Sequence, residues 1–213
     1  MARRAISRDR GTAEDTSIRA RVLAAAFQAF MANGYAATST LEIATRARVS
    51  KRDLYANFGT KQAMLVACIA SRAARMRLAP ALALPGSRAS LAATLTRLGV
   101  TVVREVCQPQ VMAMYRLAIA EAERSPEVAE TLNAPREENR GALTQLFAGA
   151  QKTGLLRPGS PERMMEQFFA LLWGDLLLSR LFGVAGVPRP AEIDRRVRDA
   201  TETFLDLHAN PDR

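Results

Sequence analysis

Apolar residues recur at three- and four-residue spacing through most of this chain, and no stretch alternates apolar and polar positions as a half-buried strand does. The pattern predicts an all-α protein. Its first stripe is Ile18, Val22, Ala26 and Phe30, with Thr16 or Ser17 placed to cap the helix and Gly34 to close it. Two short helices with their own start signals follow between residues 38 and 61. Ser39 stands three residues before Glu42, so its hydroxyl is placed to accept the Glu42 backbone N–H while the Glu42 carboxylate reaches back to the Ser39 N–H. Leu41, Ile43, Ala44 and Ala47 give this helix a buried stripe, which Arg48-Val49-Ser50 interrupts. Ser50 and Asp53 repeat the capping arrangement. Along the second helix Leu54 and Phe58 face inward, leaving Lys51, Arg52, Asp53, Tyr55 and Asn57 outside.

After Gly59, Thr60 caps a longer helix that carries Lys61 in its first turn. The helix dipole disfavours a cation there. A bound anion such as a backbone phosphate offsets that cost, because helix N-termini favour phosphate.

Farther on, Pro80 and Pro85-Gly86-Ser87 mark a break, and everything beyond reads as helix again. Leu91, Leu95, Leu98, Val102 and Val106 form one stripe before Pro109, and Met112, Tyr115 and Ile119 belong to the next. Ser125-Pro126-Glu127 and Ser160-Pro161-Glu162 are start signals with Pro at a favourable first position. Asn133-Ala134-Pro135 predicts a break or kink in the helix that the first of these opens. The helix opened at Ser160 is apolar on nearly every side over residues 168–178, so it needs cover on more than one face. A last amphipathic helix follows Pro188 and Pro190, with Ile193, Val197, Ala200, Phe204 and Leu207 on its apolar side.

Charge sharpens this picture. Of a net +9 over 213 residues, residues 1–64 carry +6, so positive charge gathers on the third of the chain that holds the two short helices. That is the electrostatic footprint of a DNA-binding segment. Two capped helices joined by a tight turn have the layout of a helix-turn-helix, whose second helix presents polar and basic residues to base edges. Lys51, Arg52 and Asn57 are suited to that role. Residues 2–14 read as a mobile basic arm, either a plain tail or one that follows the DNA.

Other chemistry is thin. The single histidine, His208, lies near the end, and no nucleophile with a base partner, metal-ligand set or phosphate-binding glycine loop is present, so neither enzyme activity nor a metal or cofactor is expected. Cys68 and Cys107 sit inside helical patterns and read as buried thiols, with a redox pair as the alternative. The arginine-rich start lacks an apolar core of the signal-peptide kind, and the apolar run over 168–178 is interrupted by Asp175 and too short to span a bilayer. No membrane partner and a cytoplasmic location are therefore expected.

These residues also carry a resemblance. Phe30-Met31-Ala32-Asn33-Gly34-Tyr35, Ala37-Thr38-Ser39, Glu42-Ile43-Ala44, Val49-Ser50-Lys51, Leu54-Tyr55, Phe58 and Lys61 with Ala63 and Leu65 resemble the DNA-binding domain of TetR-type transcriptional regulators. More loosely, Tyr115-Arg116-Leu117-Ala118-Ile119-Ala120-Glu121-Ala122, Ser125-Pro126-Glu127 and the Phe-rich last third resemble the C-terminal domain of AefR-like members. The resemblance implies that the second short helix enters the major groove and that Thr40, Tyr55 and Lys61 touch phosphates. It also implies pairing of the last two helices with a second subunit, and a site for a small inducing molecule among the C-terminal helices. Two departures stand out. Arg48 occupies a turn position where the family usually has Gly, and Asp53 and Asn57 stand where Thr and His are common. Asp53 either caps its own helix or accepts from a cytosine amino group, and the cap is the favoured reading.

The expectation is an all-α protein with a basic arm at 1–15, a helix-turn-helix domain at 16–65, a connecting helix to about residue 79, and an effector-binding and dimerisation domain at 86–209. Thr40, Lys51, Arg52, Tyr55, Asn57 and Lys61 are the expected DNA contacts. Met112, Tyr115, Arg116, Ile119, Phe169 and Trp173 are candidate walls of a pocket for a hydrophobic effector, although Met and aromatic residues at helical spacing also serve as simple core. The expected function is a homodimeric repressor on a palindromic operator, with a second subunit covering the apolar face within residues 160–208. The alternative is a non-specific or architectural nucleic-acid-binding protein.

Overall fold

The structure, a computed structural model, describes the backbone of residues 3–74 and 82–210 and the side chains of residues 17–74 and 82–210. Among the described residues the chain is helical throughout, apart from a single antiparallel bridge between Leu156 and Ala209. The helices are α1 (Arg3–Ala37), α2 (Thr40–Ala47), α3 (Lys51–Phe58), α4 (Lys61–Ala73), α5 (Arg88–Val106), α6 (Pro109–Glu121), α7 (Pro126–Lys152), α8 (Pro161–Trp173), α9 (Leu176–Phe182) and α10 (Pro190–His208). They divide into two compact units. One holds the chain to Ala73 together with Arg116–Leu132, and the other holds Ala74–Tyr115 with the remainder from Asn133.

In the first unit α1 packs against α2 and α4, and Val22, Ala26, Phe30, Ile43, Leu54, Met64 and Leu65 are all buried. The helix backbone runs from Arg3, so Thr16 and Ser17 do not start it. Residues 3–14 contain no proline and are rich in Arg, a good helix former, so the backbone continues through a residue that also suits a cap. The expected basic arm is thus helical from Arg3, and its side chains lie outside the described residues. Gly34, with φ 76° and ψ 170°, takes the chain out of helical geometry where the sequence places its stop. The expected continuation of α4 to about residue 79, and the break at Pro80, fall outside the described residues.

In the second unit α10 packs on α5 and α8 around Phe147, Phe168 and Phe204. Phe147 stacks on Phe204 at 4.7 Å between ring centres, while Phe168 meets Phe204 edge-on at 5.5 Å. The Ser160 cap and Pro161 start α8 as the sequence predicts. Two expectations need correction. α7 runs through Pro135 without ending there, so the expected break is absent: proline forfeits one backbone hydrogen bond, which a helix of 27 residues sustains. Conversely, residues 168–178 are not one helix, because Gly174 (φ 46°, ψ −127°) ends α8 and Asp175 opens α9. Only glycine adopts that conformation without strain.

Candidate nucleic-acid interface

The capping residues fix where α2 and α3 begin. Ser39 Oγ accepts the Glu42 backbone N–H at 3.1 Å. The reciprocal half is missing, because the Glu42 carboxylate instead accepts from Asn33 Nδ2 at 3.0 Å and pairs with Arg46 at 2.9 Å. Glu42 therefore ties the end of α1 to the start of α2. For α3 the box is complete: Ser50 Oγ accepts the Asp53 N–H at 3.1 Å, and Asp53 Oδ2 accepts both the Ser50 N–H and its hydroxyl. Asp53 thus acts as the cap that the sequence favours, with Oδ2 engaged in the box.

The turn between them depends on Arg48, which has φ 53° and ψ 50°, the left-handed conformation. It is the only non-glycine residue with positive φ among the described residues. Its backbone N–H closes α2 by donating to Thr45 O and Ala44 O. Leu41, expected in the buried stripe, is 56% exposed, since it lies on the same side of α2 as Thr45 and away from α1. Ile43, Ala44 and Ala47 supply the buried face.

On the outer surface Lys51 and Arg52 are exposed at the N-terminus of α3, while Leu54 and Phe58 anchor its other face in the core. Tyr55 is exposed, and its hydroxyl lies 3.1 Å from Thr40 Oγ1, so α2 and α3 present two hydroxyls side by side. Asn57 is half-buried, contrary to its expected outward position. Its Nδ2 donates to Asp53 O at 3.0 Å, and its backbone carbonyl accepts from Arg19 Nη1 at 3.0 Å. The amide thus serves its own helix. Lys61 is also engaged: Nζ donates to Thr38 O at 2.8 Å and to Ala36 O at 3.4 Å, and lies 4.3 Å from the centre of the Tyr35 ring.

Around Lys61 the start of α4 meets the segment Arg116–Leu132 of the same unit. Gln62 hydrogen-bonds to Glu127, and burial with the nearby Glu121 and Glu127 carboxylates holds the Tyr35 phenol above its ordinary pKa. Sequence reasoning missed Arg19, Asn33 and Tyr35 as organisers of this surface. Arg19 and Asn33 carry no signal in spacing because their partners lie 38 and 9 residues away.

Residues 22–68 match the family described as bacterial regulatory proteins, tetR family, and residues 93–210 match the AefR-like transcriptional repressor C-terminal domain. The chain belongs to the TetR family. Solved structures agree. A TetR-family transcriptional regulator from Mesorhizobium loti MAFF303099 is 22% identical, with 92% of this chain and 98% of that one covered and a TM-score of 0.80. A TetR transcriptional regulator from Agrobacterium tumefaciens is 24% identical over 91% and 95%, with a TM-score of 0.72. The flavonoid-responsive regulator FrrA is 25% identical over 91% and 98%, with a TM-score of 0.74. No curated protein matches the chain. A TetR-family fold implies DNA-binding regulation and a dimeric partner, and regulators of this family are not enzymes.

The six residues expected to line an effector pocket of this TetR-family chain fall on α6 and α8. Met112, Tyr115, Phe169 and Trp173 belong to the second unit, whereas Arg116 and Ile119 belong to the first and are exposed. Met112 is fully buried, and Phe169 and Trp173 pack on the hydrophobic core. Burial holds the Tyr115 phenol above its ordinary pKa, with Arg136 drawing it partly back. A cleft of about 490 Å³ between α8 and α10 is lined by other residues, among them Leu171, Leu176, Ile193, Arg196 and Thr203. Among the described residues no helix is long and apolar enough to cross a membrane.

Proposed function

We propose that this chain is a homodimeric repressor that binds a palindromic operator and leaves it when a small, largely hydrophobic ligand binds. The observation that carries the DNA half of this reading is α3. It is anchored by Leu54 and Phe58, capped by Ser50 and Asp53, and free to present Lys51 and Arg52 to base edges. A Lys or Arg on guanine O6 and N7 contributes about 1–3 kcal/mol of discrimination per good bidentate pair. Tyr55 on that helix, with Thr40 and Lys61 at the starts of α2 and α4, supplies phosphate contacts that set its register. Asn57 is the weakest of the expected base contacts because it is half-buried and one of its two amide N–H donors goes to Asp53 O.

Dimerisation is supported by Leu178, Phe182 and Val184, which are 53%, 77% and 78% exposed on α9 and the turn after it. A two-fold dimer on DNA sets its recognition helices about 34–36 Å apart. The ligand half draws on the half-buried Tyr115 and Trp173 and the buried Met112, all in the second unit, and on the flavonoid response of the similar regulator FrrA, which points toward a largely hydrophobic aromatic effector.

Selection of bound fragments from the source genome tests the reading. The expected result is a palindromic site bound far more tightly than random duplex at fixed salt. Uniform binding to all fragments, with a steep salt dependence and no enriched site, favours the architectural alternative.

A further inference from the structure

Side-chain hydrogen bonds tie α3 to two other helices: Tyr55 to Thr40 on α2, and the Asn57 carbonyl to Arg19 on α1. The first of these uses hydroxyls that the reading above assigns to phosphates. The second lies two residues farther on, in the last turn of the helix. Arg19 Nη1 lies 3.0 Å from Asn57 O, and its guanidinium carbon lies 4.6 Å from the centre of the Phe58 ring. One planar group therefore touches both the C-terminal carbonyl of α3 and the aromatic anchor of that helix.

α3 needs such a partner. It has only eight residues and no basic residue in its last turn, and a helix end leaves carbonyls without intrahelical donors. Gly59 N–H closes on Tyr55 O and Thr60 N–H on Phe58 O, but the Asn57 carbonyl is served by Arg19. A cation at that end is also favoured by the helix dipole. The complete capping box at Ser50 fixes where α3 starts without attaching it to another helix. Its pitch against α1 is set by Leu54 and Phe58 in the core and by the guanidinium that covers Phe58.

We infer that Arg19 is a positioning residue for operator recognition, holding the C-terminal end of α3 so that Lys51 and Arg52 meet the bases at one angle. This inference rests on the DNA-binding reading of α3. It predicts a signature that a phosphate contact does not have. Loss of a phosphate contact weakens every sequence alike and lowers the salt slope by about one. Loss of a positioning residue weakens the operator more than random duplex and leaves the slope alone.

The test uses the full chain with Arg19→Ala, Arg19→Gln and Arg19→Lys, titrated on the selected operator and on a random duplex across salt. Arg19→Ala is expected to lower the operator-to-random affinity ratio about fivefold at unchanged slope, a loss in the range of one helix-end cation. Lys is expected to recover most of the ratio and Gln part of it. Amide hydrogen exchange of the free protein supplies a readout independent of DNA: the 55–59 amides should exchange faster in Arg19→Ala while α4 stays protected. An equal loss on both duplexes with a slope lower by about one, or unchanged exchange at 55–59, overturns the inference. Failure of the unmodified chain to prefer any site, with exchange altered as expected, would instead sink the DNA-binding reading while leaving the tether intact.

Discussion

The ammonium of Lys61 lies 2.8 Å from the carbonyl oxygen of Thr38, and Thr38 in turn donates its hydroxyl to Gly34 O at 2.7 Å. A cation at the N-terminus of α4 is thus neutralised by carbonyls at the end of α1, whose negative dipole end it completes. The bound phosphate invoked from the sequence is not required to explain its presence. An ammonium has three N–H donors, and two are used here. The third is not used by either carbonyl.

Lys61→Ala is therefore expected to have two effects where a plain surface contact has one. Removing the donor to a half-buried carbonyl should destabilise the chain by about 1 kcal/mol. It should also weaken binding to every DNA sequence and reduce the salt slope by about one. Urea unfolding and salt-dependent titration measure the two separately. Unaltered stability would show that the Thr38 contact contributes nothing in solution.

Thr40 and Tyr55 make a sharper case. Two hydroxyls 3.1 Å apart share one hydrogen between them, so the pair offers a single O–H donor outward. Thr40→Val and Tyr55→Phe should then be strongly non-additive, the double variant losing little more operator affinity than either single one. A double-mutant cycle reads this, with a coupling of about 0.5–3 kcal/mol expected for groups in one network. Simple additivity would mean that each hydroxyl reaches its own phosphate.

These contacts explain which parts of the interface the sequence disclosed. Caps, stripes and stops are local, so Ser50, Asp53, Thr60, Leu54, Phe58 and Gly34 were readable from spacing alone. The half-made box at Ser39 was not, because Glu42 has a choice between a nearby N–H and the side chains of Asn33 and Arg46. Asn57 and Lys61 are polar residues whose partners, Asp53 O and Thr38 O, appear only once the backbone has folded. In the second unit the stripe on α5 was legible at Leu91, Leu95 and Leu98, but the composition of residues 168–178 hid the glycine break.

Arg48 supplies a stability test. A left-handed residue with a Cβ costs roughly 1–2 kcal/mol, and glycine removes that cost at about 0.5–1 kcal/mol of backbone entropy. Arg48→Gly is expected to stabilise the chain by about 0.5–1 kcal/mol, seen as a higher urea midpoint at constant m-value. Destabilisation would show that the guanidinium makes up for the strain.

The apolar surface on α9 predicts an oligomeric consequence. Phe182 is 77% exposed, so a charge there leaves the core of the chain untouched. Phe182→Glu should shift sedimentation at micromolar concentration from dimer toward monomer with the helical content retained. An unmodified chain that sediments only as a monomer would refute the interface proposed within residues 160–208.

Cys68 gives the alkaline limit of the DNA-binding unit. The thiol is buried, with its sulfur 3.4 Å from Leu23 O, and burial pushes its pKa up to about 12 from an ordinary value of 9.0. The neighbouring Arg72 lowers it only partly. Between those two values the unfolded chain has lost the proton while the folded chain keeps it, so the folded state binds more protons and stability falls as pH rises. The slope approaches about 1.4 kcal/mol per pH unit between the two values, so this contribution to stability is present in full below pH 9 and is lost progressively toward pH 12. Cys68→Ala should be less stable than the unmodified chain at pH 7 because it opens a small cavity. Its stability should nevertheless decline less between pH 9 and pH 11, so the gap between the two proteins narrows on the alkaline side. Parallel stability curves over that range would mean that Cys68 ionises in the folded protein as freely as in the unfolded chain, which a thiol 2% exposed within the α1 and α4 packing does not allow.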